Sequence, residues 1–297
     1  MSSDGIYRSR AGERRIKALY EELLADLETS FERRFVETRF GETHVLITGP
    51  ETAPPLVVFH GGNVVNPISL AWFLPLAGEF RLYAPDTIGH PGYSAQTRLS
   101  PRDESYGRWV RDVLDGFGLE CVPMIGASYG GGILLRTAAH SPACIERAGV
   151  VVPAGLATGS IPRLLFEIVL PMFAYRLWPS RSRLERAVQP MFTEPASALD
   201  DRVLEVIGAV FEEVTLERSF PKPATAAELS GFDAPTLLAV AEDDVFFPPE
   251  AVVPRAHEVL TTLEVVVRLR GQAHVPGPTA RKRLCGHLRD FFVGELP

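Results

Sequence analysis

The sequence predicts an α/β fold, a mostly parallel sheet with helices on both faces. Three observations lead there. Apolar runs of strand length alternate with helical periodicity along most of the chain. Two β-rich segments near the N-terminus flank Gly41-Glu42, a hairpin signal, so the sheet starts antiparallel before the alternation sets in. The chain has 297 residues, 46% of them hydrophobic, enough for one large core of this class.

The elements follow in order. Ile16, Leu19, Tyr20, Leu23, Leu24 and Leu27 recur at helical spacing over residues 11–28. This amphipathic helix stands outside the main pattern, and residues 1–34 are assigned to an N-terminal helical extension. Residues 33–40 and 43–49 are the hairpin strands. Residues 55–61 and 81–86 are apolar strands, the first ending in glycines. Tyr106, Trp109, Val110, Val113 and Leu114 share one face of a helix over 101–117. A strand at 121–127, a helix at 129–140 and a strand at 147–155 continue the rhythm. Residues 157–231 break it, being rich in proline and large apolar side chains; they are assigned to a helical lid inserted after the sixth strand. The alternation resumes with a strand at 235–244, a helix near 249–260, a strand at 263–271 and a last helix at 279–293. Residues 35–156 and 232–297 form the core.

Composition excludes several classes. Charged residues are 23% and the net charge is −7, which disfavours nucleic acid or an anionic membrane as partner. Cys121, Cys144 and Cys285 are far apart, show no CxxC spacing and imply no disulfide framework. A reducing, cytoplasmic location is expected. His140 and Cys144 stand four apart on a helix, too few ligands for a metal site. The N-terminus lacks the apolar region of a secretory signal. The longest membrane-span candidate, residues 161–178, is interrupted by Arg163, Glu167, Pro171 and Arg176.

The stretch "VPMIGASYGGGILL" (122–135) carries the chemistry. A strand leads straight into Ser128 and a helix starts straight after it, the strand–turn–helix setting of a nucleophile elbow. Side chains two residues either side would collide with the strand and helix, so Gly126 and Gly130 fit sterically, while Gly131 and Gly132 let the helix approach the sheet. The turn pushes the hydroxyl out at the carboxyl end of the sheet, where the following helix points its N-terminal amides. A serine needs a base, and the base needs a carboxylate to orient it. Of seven histidines, His274 lies on a loop between the last strand and the last helix. His60 in "FHGGN" suits a backbone role, His90 lies on a loop after a strand, and His44, His140, His257 and His287 fall inside strand or helix patterns. The strand at 235–244 ends in the adjacent carboxylates Asp243 and Asp244, which gives the chain order serine, aspartate, histidine.

Five motifs in this order resemble the α/β-hydrolase fold family over about residues 35–297. They are "HGGN" at 60–63, "DTIGHPGYS" at 86–94 with Pro91 for the usual glycine, "GASYG" at 126–130, "AEDDVFFP" at 241–248 with Ala241 for glycine, and "GQAHVPGP" at 271–278. The resemblance implies an eight-stranded sheet and a triad of Ser128, Asp244 and His274, with Asp244 chosen by its spacing to Pro248. It implies an oxyanion hole made by the Tyr129 amide and the Gly62 amide, with Asn63 as the neighbouring alternative. The region 32–62, with a helix before it, is also similar to bacterial carboxylesterases that include arylpropionate esterases.

The implied reaction is acyl transfer to Ser128 followed by hydrolysis, with no cofactor. The same triad also serves cofactor-free perhydrolases and haloperoxidases, lactonases, C–C bond hydrolases and acyltransferases. An aspartate nucleophile, as in dehalogenases and epoxide hydrolases, is excluded by Ser128. A non-catalytic ligand receptor is the reading from another class. The expected partner is a small-molecule ester, with a homodimer as the candidate assembly. Leu164, Leu165, Phe166, Ile168, Val169, Leu170, Met172 and Phe173 make residues 161–178 apolar almost all round, and Arg163 and Glu167 are spaced to pair. Most of these side chains are expected to form lid core, with some turned toward the site beside Phe246 and Phe247. Asn63, Phe166 and Phe247 are therefore assigned to substrate binding, and the substrate is expected to be an uncharged, medium-sized hydrophobic ester.

Overall fold

The computed structural model describes residues 5–295; positions 1–4 of the extension and the last two core residues lie outside the described residues. In chain order the elements are α1 (Arg10–Asp26), β1 (Glu32–Thr38), β2 (Gly41–Thr48), β3 (Pro55–Phe59), α2 (Asn66–Leu70), β4 (Arg81–Pro85), α3 (Ser105–Phe117), β5 (Val122–Ala127), α4 (Tyr129–His140) and β6 (Ile145–Val151). The chain then runs through α5 (Ile161–Leu164), α6 (Leu170–Leu177), α7 (Arg181–Val188) and α8 (Asp201–Glu213) before β7 (Thr236–Ala241), α9 (Pro249–Val259), β8 (Leu263–Leu269) and α10 (Pro278–Val293). The strands form one eight-stranded sheet in the order β1-β2-β4-β3-β5-β6-β7-β8. β2 pairs antiparallel with β1 and β4, and every other neighbour is parallel. Among the described residues no helix is long and apolar enough to cross a membrane.

The central strands are largely buried. β5 and β7 carry no exposed position, because helices cover both faces of a parallel sheet and water reaches neither. One apolar cluster packs α3 and α4 against the sheet through Tyr106, Trp109, Ile133 and Leu134. The other packs α1 and α10 on the opposite face through Ile16, Tyr20, Leu284 and Leu288. The hairpin turn falls on Arg39-Phe40, not on Gly41-Glu42. Gly41 already pairs with Thr38, and it takes the positive φ of 114° just after the turn.

α1 is capped by the Ser9 hydroxyl, which accepts the Gly12 N–H. Its apolar face lies on the core. Its flank lies on α8, where Arg15 pairs with Glu212 at 2.8 Å. Just before it, Arg8 N–H donates to Glu213 O and Thr215 N–H to Ile6 O, so the two segments pair as short strands.

Residues 152–235 separate β6 from β7. This insertion is helical only as far as Glu213. From there to residue 235 it has no regular helix and crosses the molecule as a strap, consistent with Pro221 and Pro223, which cannot sit inside a helix. Arg163 and Glu167 do pair, at 3.0 Å. The apolar stretch around them packs less than its composition suggests. Ile168 and Tyr175 are buried, but Ile161, Phe166, Phe173 and Trp178 are exposed. Pro171 has no N–H to continue the α-helical ladder, and the turn before it, Leu165–Val169, widens into a π-helix. The stripe through Ile168, Met172 and Tyr175 is the part that turns toward the pocket and α8.

Candidate active site

β5 delivers its last residue, Ala127, to the carboxyl edge of the sheet, and the chain turns there. Ser128 has φ 54° and ψ −115°, a backbone that a residue with a side chain rarely adopts. The turn closes only because its neighbours lack Cβ atoms. A Cβ on Gly126 would lie 2.3 Å from Gly130 O, and one on Gly130 would lie 2.3 Å from Phe59 O. Gly131 and Gly132 make room for Pro153 and Pro221, loop residues rather than the sheet itself.

Ser128 Oγ lies 2.9 Å from His274 Nε2. His274 Nδ1 lies 2.8 Å from Asp244 Oδ2. The other carboxylate oxygen of Asp244 accepts the Phe246 and Phe247 N–H groups at 2.8 and 3.0 Å, so the acid cannot rotate away. Asp244 is 1% exposed while its neighbour Asp243 faces solvent. The rings of Phe246 and Phe247 pack on the His274 imidazole with centroids 4.9 and 5.6 Å away. The structure thus brings together Ser128, His274 and Asp244 from three separate loops at the carboxyl ends of β5, β8 and β7.

The loop after β3 lies opposite. His60 is fully enclosed; its Nε2 accepts the Thr87 N–H at 2.8 Å, so Nδ1 carries the proton and donates to Gly61 O at 2.7 Å. Burial lowers the His60 pKa, which keeps it in this neutral tautomer. Gly61 N–H donates to Ser69 Oγ. Asn63 N–H donates to His90 Nδ1 at 3.3 Å. Among the described residues neither Gly62 N–H nor Tyr129 N–H has a protein acceptor. Gly62 and Tyr129 touch, since a Cβ on Gly62 would lie 3.0 Å from Tyr129 Cβ. Two free amides therefore flank Ser128, the arrangement that can receive a developing oxyanion. The Asn63 amide is engaged elsewhere.

The cavity above Ser128 has a volume of about 220 Å³. Its walls are mainly apolar, with Trp72, Ile168, Met172, Phe211, Phe246 and Phe247 among them. Phe247, assigned to substrate binding from the sequence, is among the lining residues. Phe166 does not. It is 67% exposed and lies on the outer side of the widened turn whose inner side presents Ile168. Asn63 reaches the pocket wall, but its side-chain amide is already committed. It donates to Glu217 O and accepts Glu217 N–H, both at 2.8 Å. Asn63 thereby clasps the strap over the site. The strap also brings Glu217, Arg218 and Phe220 to the pocket. Sequence reasoning missed them, and Pro221 and Pro223 were the signal that the helix had ended before them.

The sequence profile described as the alpha/beta hydrolase family matches residues 56–285. The chain is 29% identical over 261 residues to the uncharacterized carboxylesterase nap of Bacillus subtilis, covering 81% of this chain and 80% of that one. It is 26% identical over 258 residues to carboxylesterase YbfK of the same organism, covering 84% and 83%. Among solved structures, naproxen esterase (carboxylesterase NP) from Bacillus subtilis superposes with a TM-score of 0.79 at 23% identity, over 98% of this chain and 99% of that chain.

Proposed function

The chain belongs to the alpha/beta hydrolase family, and from that membership we propose that it is a serine carboxylesterase acting on uncharged hydrophobic esters. The observation that carries this reading is the hydrogen-bonded relay from Ser128 through His274 to the buried Asp244 at 2.9 and 2.8 Å, set under an apolar cavity. The relatives named as carboxylesterases support it.

In the proposed cycle Ser128 Oγ attacks the ester carbonyl while His274 Nε2 takes its proton. Asp244, hydrogen-bonded at Nδ1, fixes the tautomer and stabilises the imidazolium. The carbonyl oxygen gains charge as the tetrahedral intermediate forms and is met by the Gly62 and Tyr129 N–H groups. Each such donor is worth about 3 kcal/mol in the transition state. The imidazolium returns its proton to the leaving alcohol. Water, deprotonated by His274, then attacks the acyl-serine by the same route in reverse. No cofactor enters.

A cavity of about 220 Å³ with mainly apolar walls suits a medium-sized acyl or aryl group. The test is a series of p-nitrophenyl esters from acetate to decanoate. kcat/KM should rise up to about fourfold per methylene, ~0.8 kcal/mol each, and then level off as the pocket fills. Ser128→Ala should lower turnover by several decades and abolish labelling by an organophosphonate. A flat chain-length profile, or a preference for charged acyl groups, would sink the apolar-substrate reading. Undiminished labelling of the alanine variant would move the nucleophile elsewhere.

A further inference from the structure

His90 lies outside the serine–histidine–aspartate relay, is 3% exposed, and is held in place through its backbone. Its N–H donates to Thr87 O at 3.0 Å, and the adjacent Gly89 N–H donates to Ala95 O at 2.9 Å. Because Nδ1 accepts the Asn63 N–H, the ring proton resides on Nε2, and Nε2 is buried with no partner. A buried donor without a partner is costly, because it has given up its hydrogen bond to water for nothing. A phenylalanine would fill the same space without that cost, so the polar edge of His90 is explained by what Nδ1 does.

What Nδ1 does is fix a peptide plane. The Asn63 N–H shares its plane with the Gly62 carbonyl. The Gly62 N–H shares its plane with the Gly61 carbonyl, which accepts the His60 Nδ1–H. The two planes flanking the Gly62 Cα are thus tied to two histidines, and the Gly62 N–H is left free between them. Asn63 needs this tie, for its φ of 54° lies in the left-handed region. The other face of His90 touches the second donor residue. Its ring packs on the Tyr129 ring with centroids 4.8 Å apart.

We propose that His90 is a positioning residue of the oxyanion hole, holding the Gly62 amide through Asn63 and the Tyr129 side through ring contact. The inference rests on the acyl-transfer reading above. Burial, with the nearby Arg98 guanidinium adding repulsion, holds the His90 pKa well below the ordinary imidazole range, so Nδ1 stays an acceptor.

Three variants separate the acceptor from the ring. His90→Phe keeps the ring and loses the acceptor. His90→Asn places an oxygen near the site of Nδ1. His90→Gln places one near Nε2 instead. Steady-state kinetics on the best p-nitrophenyl ester and the rate of Ser128 phosphonylation are measured for each, with melting curves. His90→Phe should lower kcat about 10–100-fold, as misplacement of a catalytic group by about 1 Å does. KM should change less than about threefold, because the hole acts on the transition state more than on bound ester. His90→Gln should resemble His90→Phe. His90→Asn should recover at least about fivefold over both, and phosphonylation should follow the same order. Wild-type kcat in His90→Phe, a rise in KM matching the loss in kcat, or no advantage of Asn over Gln would overturn the inference while wild-type activity stands. A wild-type protein that neither hydrolyses esters nor labels at Ser128 would bring down the acyl-transfer reading and this inference with it.

Discussion

Ser128 is kept in its strained backbone conformation by the groups around it. Its N–H donates to Val151 O, and its carbonyl accepts the Gly131, Gly132 and Ala154 N–H groups. A conformation costing ~1–3 kcal/mol survives only when its surroundings over-determine it. The glycines that permit the turn were legible in the sequence because their spacing reports a steric requirement. Between the adjacent carboxylates, the spacing to Pro248 pointed to Asp244, and since neighbouring residues leaving a strand point opposite ways, only one of the two can face His274. Asp244 turns inward and meets His274; Asp243 turns to water. Asp244→Asn should cost about four decades in turnover, as a wrong imidazole tautomer does, whereas Asp243→Asn should stay within about tenfold. Equal losses in kcat for the two variants would contradict this assignment. The role of the Asn63 side chain was not legible, because its partner Glu217 lies 154 residues away and offers only backbone atoms, which leave no mark in a side-chain pattern.

The inserted helices and the strap behave differently as elements. The helix around Phe166 was legible as a helix but not in its orientation. Apolar residues surround it almost completely, and a pattern without a polar side does not say which side turns inward. Phe166→Ala should accordingly leave kcat/KM within about twofold on the preferred ester, and a tenfold loss would return Phe166 to the pocket. The strap is fixed at its far end by Glu228, which accepts from Arg136 Nη1 on α4 at 2.9 Å and also meets Lys222 and Thr225. The Arg136 hydrogen bond, against an opposing effect of burial, lowers the Glu228 pKa from 4.5 to about 2. A carboxyl depressed in the folded state contributes stability above its unfolded value, and that contribution disappears as pH falls from 4.5 toward 2. At full effect this corresponds to about 3 kcal/mol. With the carboxylate 28% exposed, screening reduces the expectation to ~1–2 kcal/mol. Glu228→Gln should therefore be less stable than wild type at pH 7 and approach it at pH 3 in urea denaturation. A gap independent of pH would show that the carboxylate charge is not what holds the strap.

Across the whole molecule, the sheet was the most legible part. Each buried strand is a short apolar run ended by glycine, proline or aspartate, and the antiparallel start followed by alternation leaves few topologies open. Long-range docking was not legible. α1 reads as a free amphipathic helix, yet it supports both the core and the insertion. Tyr20 OH donates to the buried Asp86 at 2.9 Å, at the start of the loop that carries His90, and Arg15 reaches Glu212 on α8. Removal of residues 5–28 should lower the melting temperature by at least about 5 °C and promote aggregation; an unchanged melting curve would reduce α1 to a decoration. The partnership also bears on biosynthesis. Arg15 and Glu212 are 197 residues apart, so at ~5–20 residues per second α1 leaves the ribosome about 10–40 s before α8 has been made. Throughout that interval the Ile16, Leu19 and Leu23 side of the nascent helix lacks part of its final cover. Exposed apolar surface of this kind makes a growing chain prone to aggregate, and the pairing of α1 with α8 has to wait until the insertion is made.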